Sequence, residues 1–242
     1  MFLRILLLAL LLPVFVQAQP VTAKAWLVAD DTGQLIDGVN TGAVRPIASI
    51  TKLLTVMVVL DSNQDLDESI KVRRYHTAAS RQMLMLMALV RSDNAAADTL
   101  CQRYPTGYDG CIRALNDKAA SLGMTSTVLR DPTGLNRKNV STAEDLVKLV
   151  QAAGTYSLIA AAGNIEQVWL KTKRTEVMFR NTNPLVGQGH GILVSKTGFI
   201  NQAGGCLVMQ MLTINGLRTI ILLGSKNTLT RAPEALMLAS LK

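Results

Sequence analysis

The segment Ala48-Ser49-Ile50-Thr51-Lys52 holds the only Ser-x-x-Lys in the chain. Residues three apart on a helix share a face, so the hydroxyl and the amine can meet. The amine can take the hydroxyl proton only if it is partly neutral. Bringing a lysine pKa from ~10.4 to near 7 costs about 4 to 5 kcal/mol of differential stabilisation, which burial and a second cation supply. Histidine is a poor alternative, because His76 and His190 are the only two and neither lies in a nucleophile-elbow or zinc-binding pattern. Two further groupings complete the chemistry. Ser92-Asp93-Asn94 ends an apolar helical run with a hydroxyl and an amide two residues apart, suited to passing a proton to a leaving amine and to holding an amide. Lys196-Thr197-Gly198 closes a strand-like run, where alternation puts Lys196 and Gly198 on one side and glycine lets another backbone approach closely. Each grouping alone is common, and Ser225-Lys226-Asn227 repeats the Ser-x-Asn pattern. The weight lies in all three arriving in this order.

The elements that must position these residues follow from hydrophobic pattern. Ala25 to Asp30 and Gln34 to Gly38 flank Asp31-Thr32-Gly33, which predicts an N-terminal hairpin. Ile47 to Leu60 is densely apolar and too long for a strand, so a buried helix is expected with Ser49 in its first turn. From about residue 78 to 165 the pattern is mostly helical. Asp131-Pro132-Thr133-Gly134-Leu135-Asn136 provides turn chemistry there, and Ser141-Thr142-Ala143-Glu144 reads as a capping box. Three runs, Ile192 to Thr197, Cys206 to Met211 and Arg218 to Leu223, are strand-like, and a closing helix follows Pro233. The expected fold is mixed α/β, with an antiparallel sheet formed by both chain ends, flanking helices and a mostly helical inserted subdomain.

Arg4 precedes an apolar run from Ile5 to Val16, followed by Gln17-Ala18 and Gln19-Pro20, the pattern of a secretory signal peptide cut after Ala18. The run contains Pro13 and falls short of the ~20 residues of a spanning helix. Residues 1 to 18 are therefore expected to be a leader, and 19 to 242 a single catalytic domain without a transmembrane segment. In an oxidising compartment Cys101 and Cys111 can pair or stay free, and Cys206 reads as a small buried apolar residue. The net charge of +8 favours an anionic partner. Aromatic residues make up only 4% and no nucleic-acid motif is present, so an acidic wall polymer suits the chain better than nucleic acid.

With these motifs in place, the chain resembles the low-molecular-mass penicillin-binding proteins, the D-alanyl-D-alanine carboxypeptidase and endopeptidase family. The likeness extends to Asp131 to Leu135, Asn139 to Leu146, Arg180 to Asn183, and Lys196 to Phe199 with Ala203 to Leu207. It implies a β-lactamase/transpeptidase-like fold and a serine-type D,D-peptidase acting on peptidoglycan without cofactor or metal, with β-lactam antibiotics as covalent inhibitors. By this resemblance Ser49 is the nucleophile, Lys52 the base and Ser92 the proton relay. Asn94, Lys196, Thr197 and Gly198 hold the substrate, and the backbone N–H groups of Ser49 and Phe199 form the oxyanion hole. The versions of Asp-Pro-Thr-Gly-Leu and Lys-Thr-Gly-Phe are most similar to the endopeptidase branch. The closing helix implies neither a second β domain nor an amphipathic tail, hence a soluble periplasmic enzyme. One departure is a brief stretch from Ile70 to Ser80 where the family is usually longer, which bears on the cleft rim. The competing readings are a β-lactamase and an inactive peptidoglycan-binding scaffold of the same fold.

Overall fold

The computed structural model describes residues 21–172 and 175–241; the expected leader lies outside them. The chain opens with the expected hairpin, β1 (Ala25–Ala29) and β2 (Leu35–Val39). A short strand β3 (Arg45–Pro46) leads into a single 3-10 turn, Ala48–Ile50, and then helix α1 (Thr51–Asp61). Ser49 thus sits on the 3-10 turn just ahead of the α-helix. Thr51 to Val59 are buried on every side, which is why the run shows density without an amphipathic stripe.

The brief stretch after α1 is a small hairpin, β4 (Ser69–Val72) and β5 (Thr77–Ser80), with Arg73–Tyr75 in a 3-10 turn. Helix α2 (Arg81–Leu86) continues into a π-helical turn, Met87–Arg91, and ends at Ser92 in the left-handed conformation. Helix α3 (Asn94–Gln102) starts at once, with the Asp93 carboxylate accepting from Ala96 N–H as its N-cap. Asn94 therefore opens a helix rather than closing one. Helix α4 (Gly107–Ser121) is joined to α3 by a Cys101–Cys111 disulfide, with Cα atoms 5.4 Å apart.

A loop then leads to β6 (Val140–Ser141), which pairs with β3. Helix α5 (Ala143–Gly154) is capped by Thr142, whose hydroxyl accepts from Asp145 N–H. The expected capping box on Ser141 is one residue out of register: Ser141 belongs to β6, and Glu144 instead accepts from the Thr41 hydroxyl. After α6 (Ser157–Ala162) comes a hairpin that the hydrophobic pattern did not predict, β7 (Gln167–Lys171) with β8 (Glu176–Arg180).

The last third forms β9 (Ile192–Ile200), β10 (Gly204–Thr213), β11 (Gly216–Ser225) and α7 (Arg231–Ala239). Pro233 lies inside the first turn of α7, where its missing N–H costs little. The main sheet runs β2-β1-β11-β10-β9, every pair antiparallel. Both chain ends build it, as expected. One face carries Val28, Leu207, Met209, Ile220 and Leu222 against Ala232, Ala235 and Leu238 of α7. The other carries Leu27, Val208, Ile221 and Leu223 against α1 and α5. Burial on both faces makes β10 and β11 read as continuous apolar runs. The edge strand β9 lies against the Ser49 turn.

Replacing Cys101 and Cys111 together by serine is expected to lower the unfolding free energy by about 2 to 3 kcal/mol, measured by urea denaturation. An unchanged midpoint would contradict this.

Candidate active site

Lys52 is fully buried, and its ammonium nitrogen has three partners: Ser49 Oγ at 2.9 Å, Asn94 Oδ1 at 2.7 Å and the Thr133 carbonyl at 2.6 Å. The last two are acceptors only. As an ammonium Lys52 donates to all three; once deprotonated it has two hydrogens for those carbonyls and a lone pair left to accept from the Ser49 hydroxyl. Burial is the largest influence on Lys52 and brings its pKa down to about 7, although the Asp131 and Asp93 carboxylates pull it upward. The expected second cation, Lys196, acts differently. It is itself buried and held well below its ordinary value by burial first, then by the Lys52 and Arg231 cations.

The loop before β6 clamps this arrangement. Both oxygens of Asp131 are committed to the loop's own backbone: Oδ1 accepts from Thr133 N–H at 2.6 Å and Gly134 N–H at 2.8 Å, and Oδ2 from Asn136 N–H at 2.7 Å. Buried Asn139 accepts from Arg130 N–H through its side-chain oxygen and donates to Thr51 Oγ1 and the Asp131 carbonyl. Its own carbonyl accepts from Ile47 N–H. Thr55 Oγ1 donates to the Pro132 carbonyl at 2.8 Å. The loop is thereby pinned along α1, which aims the Thr133 carbonyl at Lys52. Gly134, at φ +84, passes so close to the Ser49 turn that a Cβ would lie 2.0 Å from the Ala48 oxygen and 2.7 Å from Ser49 N. Ala48 itself has φ +46, a conformation that costs an alanine of order 1 to 3 kcal/mol.

On the opposite side β9 closes in. A Cβ on Gly198 would stand 2.9 Å from Ser49 N, so glycine here allows the strand to reach the Ser49 backbone. Lys196 donates to the Thr197 carbonyl at 2.9 Å, and Thr197 Oγ1 to Thr182 Oγ1 at 2.6 Å. Arg231 of α7 donates to the carbonyls of Gly198 at 3.0 Å and Thr182 at 3.4 Å, while Thr182 N–H donates to Val90. Thr182 thus ties β9 to the π-helical turn that ends at Ser92. Phe199, the next residue on β9, is 46% exposed at the rim.

Of the sites expected from sequence, Lys52 touches both Ser49 and Asn94, and Gly198 abuts Ser49. Ser92 lies two residues before Asn94 and is not one of Lys52's three partners. Its left-handed backbone, φ 62, turns the chain between the π-helical turn and α3. Sequence reasoning missed the supporting roles of Gly134, Asn139, Arg231 and Tyr75. Tyr75 Oη donates to Asp93 Oδ2 at 2.5 Å, and its ring meets Phe179 of β8 edge-on at 5.5 Å. The brief hairpin therefore anchors the segment carrying Ser92 and Asn94. Cys206 is buried and its thiol is pushed up to about 11 by burial, as suits a packing residue.

Residues 13–226 match the model of the D-alanyl-D-alanine carboxypeptidase family. The chain belongs to that family of serine peptidases. Relatives include D-alanyl-D-alanine endopeptidases from Escherichia coli, 40% identical over 82% of this chain and 70% of the relative, and from Pseudomonas aeruginosa, 39% identical over 82% and 69%. Among solved structures, a penicillin-binding protein from Listeria monocytogenes in the ampicillin-bound form superposes with a TM-score of 0.82 at 26% identity, covering 93% of this chain and 99% of that one. The mixed α/β fold is thus that of the penicillin-binding D,D-peptidases.

Gly134→Ala is expected to slow acylation by benzylpenicillin about a hundredfold, because the new methyl displaces the Ser49 turn. Gly123→Ala also forces alanine to a positive φ, but only the Lys148 amine comes within 4 Å of its Cβ. It should lower the melting temperature while leaving acylation unaffected. Stopped-flow acylation rates compare the two, and equal rates would contradict the assignment.

Proposed function

We propose that the chain is a serine D,D-peptidase that cleaves D-Ala-containing peptide bonds of peptidoglycan, with a preference for cross-links. The observation carrying this reading is the fully buried Lys52 amine, in hydrogen-bond contact with Ser49 Oγ and, among the described residues, with no carboxylate as a partner. Lys52 takes the Ser49 proton as Oγ attacks the D-Ala carbonyl. Charge developing on the carbonyl oxygen is met by the N–H groups of Ser49 and Phe199, where each such donor is typically worth about 3 to 4 kcal/mol. The proton passes through Ser92 to the leaving amine, the C–N bond breaks, and an ester to Ser49 remains. Water then attacks the ester, Lys52 accepting its proton, and Ser49 is restored.

Asn94 orients the substrate amide while holding Lys52. Lys196 and Thr197 receive the carboxylate end. Among the described residues Lys196 has no carboxylate partner, so an arriving carboxylate supplies the countercharge that burial makes costly to omit. β-Lactams, which present an amide and a carboxylate in the same relation, acylate Ser49. The preference for cross-links is supported by the two endopeptidase relatives and by the Asp-Pro-Thr-Gly-Leu loop. A β-lactamase reading is disfavoured by that same loop, where the only carboxylate, Asp131, is fully occupied by backbone donors and is not free to activate a deacylating water. The apolar run from Ile5 to Val16 supports a periplasmic setting. Among the described residues no helix is long and apolar enough to cross a membrane.

Purified cross-linked muropeptides, digested and weighed by mass spectrometry, test the reading. Dimers should convert to monomers, and Ser49→Ala should abolish both this conversion and covalent penicillin labelling. Loss of terminal D-Ala alone would replace cross-link cleavage with carboxypeptidase action. Stoichiometric labelling of Ser49→Ala would overturn the nucleophile.

A further inference from the structure

Beside the site lies a second cleft of about 610 Å³, walled by Lys71, Arg73 and Arg74 of the β4–β5 hairpin and by Ala95, Asp98, Thr99, Gln102 and Arg103 of α3 and its end. Four cations face the single carboxylate of Asp98, which already accepts from Gln102 Nε2 at 2.6 Å. Among the described residues none of the four is in an ion pair. All four are exposed, and Arg74 is steadied by stacking over the Tyr75 ring at 5.9 Å. Like charges gathered in a concave wall focus a positive field, which is repaid only when an anion enters.

Position ties this cleft to the chemistry. Ala95, Asp98, Thr99 and Gln102 form one face of α3, beginning one residue after Asn94. At 1.5 Å per residue that face covers only about 10 Å, which three residues of extended peptide span. The hairpin wall is fixed to the same segment through Tyr75 and Asp93.

We propose that this cleft is a substrate subsite that takes free carboxylates on the peptide stems flanking the scissile bond, so that the enzyme selects polyanionic stems. This rests on the peptidase reading above and names the part of the substrate bound away from Ser49. The shortness of the hairpin is what makes the subsite: Lys71 near the end of β4 and Arg73 and Arg74 in the turn that follows it lie within four residues, against α3.

The test compares the full-length protein with Arg73→Gln/Arg103→Gln, which neutralises one cation on each wall. The substrates are a cross-linked muropeptide dimer with free stem carboxylates and the same dimer with those carboxylates amidated. The double variant should lose about tenfold in kcat/KM on the free-acid dimer, chiefly through KM, as two exposed charge contacts would give. On the amidated dimer the two proteins should be equal. Lys171→Gln/Lys226→Gln, which removes the same charge elsewhere on the surface, should change neither. Equal cleavage of the free-acid dimer by wild type and cleft variant, an equal loss on both substrates, or the same loss in the surface variant would overturn the subsite. Failure of the wild type to react with penicillin would instead overturn the peptidase reading.

Discussion

The burial of one lysine constrains everything else in this molecule. An ammonium withdrawn from water is costly unless it is fully paired. Lys52 meets two carbonyl oxygens and a hydroxyl, but among the described residues no carboxylate touches it. That set can satisfy either protonation state, so burial, which lowers the pKa to about 7, is what lets the amine lose its proton. A carboxylate in contact would have locked the proton on. The nearby Asp131 and Asp93 are held back because the loop backbone, the α3 N-terminus and Tyr75 consume their oxygens. The groups that build the loop and cap the helix therefore also protect the basicity of Lys52.

The same economy explains the strained backbone. Ala48 and Ser92 both have positive φ, and they flank the two segments that must face each other. Ala48 is held there from both sides, by Gly134 of the loop and Gly198 of the sheet edge. Larger residues at either glycine would push the turn outward and part Ser49 from Lys52. Arg231 and Thr182 then join the sheet edge to the π-helical turn: the Arg231 guanidinium bridges the carbonyls of Gly198 and Thr182, and Thr182 N–H donates to Val90.

Much of this was legible in sequence. The three motifs announced themselves by residue type and order, and the sheet strands by apolar runs bounded by glycine. The failures have physical causes. Asn94 was assigned to the end of a helix because Ser92 and Asp93 look like a terminus. They are one, but Asp93 immediately caps the next helix. The capping box slipped by one residue because Ser141 and Thr142 are equivalent by type, and only the pairing of β6 with β3 decides between them. The β7–β8 hairpin went unpredicted because its residues alternate between exposed and buried over only five positions. Lys196, the second cation expected to depress Lys52, is not what lowers it: burial does that, and the repulsion is felt at Lys196. Gly134, Asn139 and Arg231 act through contacts with residues distant in the chain, and such contacts leave no local signature.

The central claim is that Lys52 loses its proton near neutral pH and so can serve as the base. It is tested most directly by the pH dependence of the second-order rate constant for acylation by benzylpenicillin, compared between wild type and Lys52→Ala. The account predicts a rate that rises as the amine loses its proton, with an apparent pKa near 7, levels off above it, and is lost in the variant. A limb near the ordinary lysine value, or a variant that acylates at the wild-type rate, would contradict it.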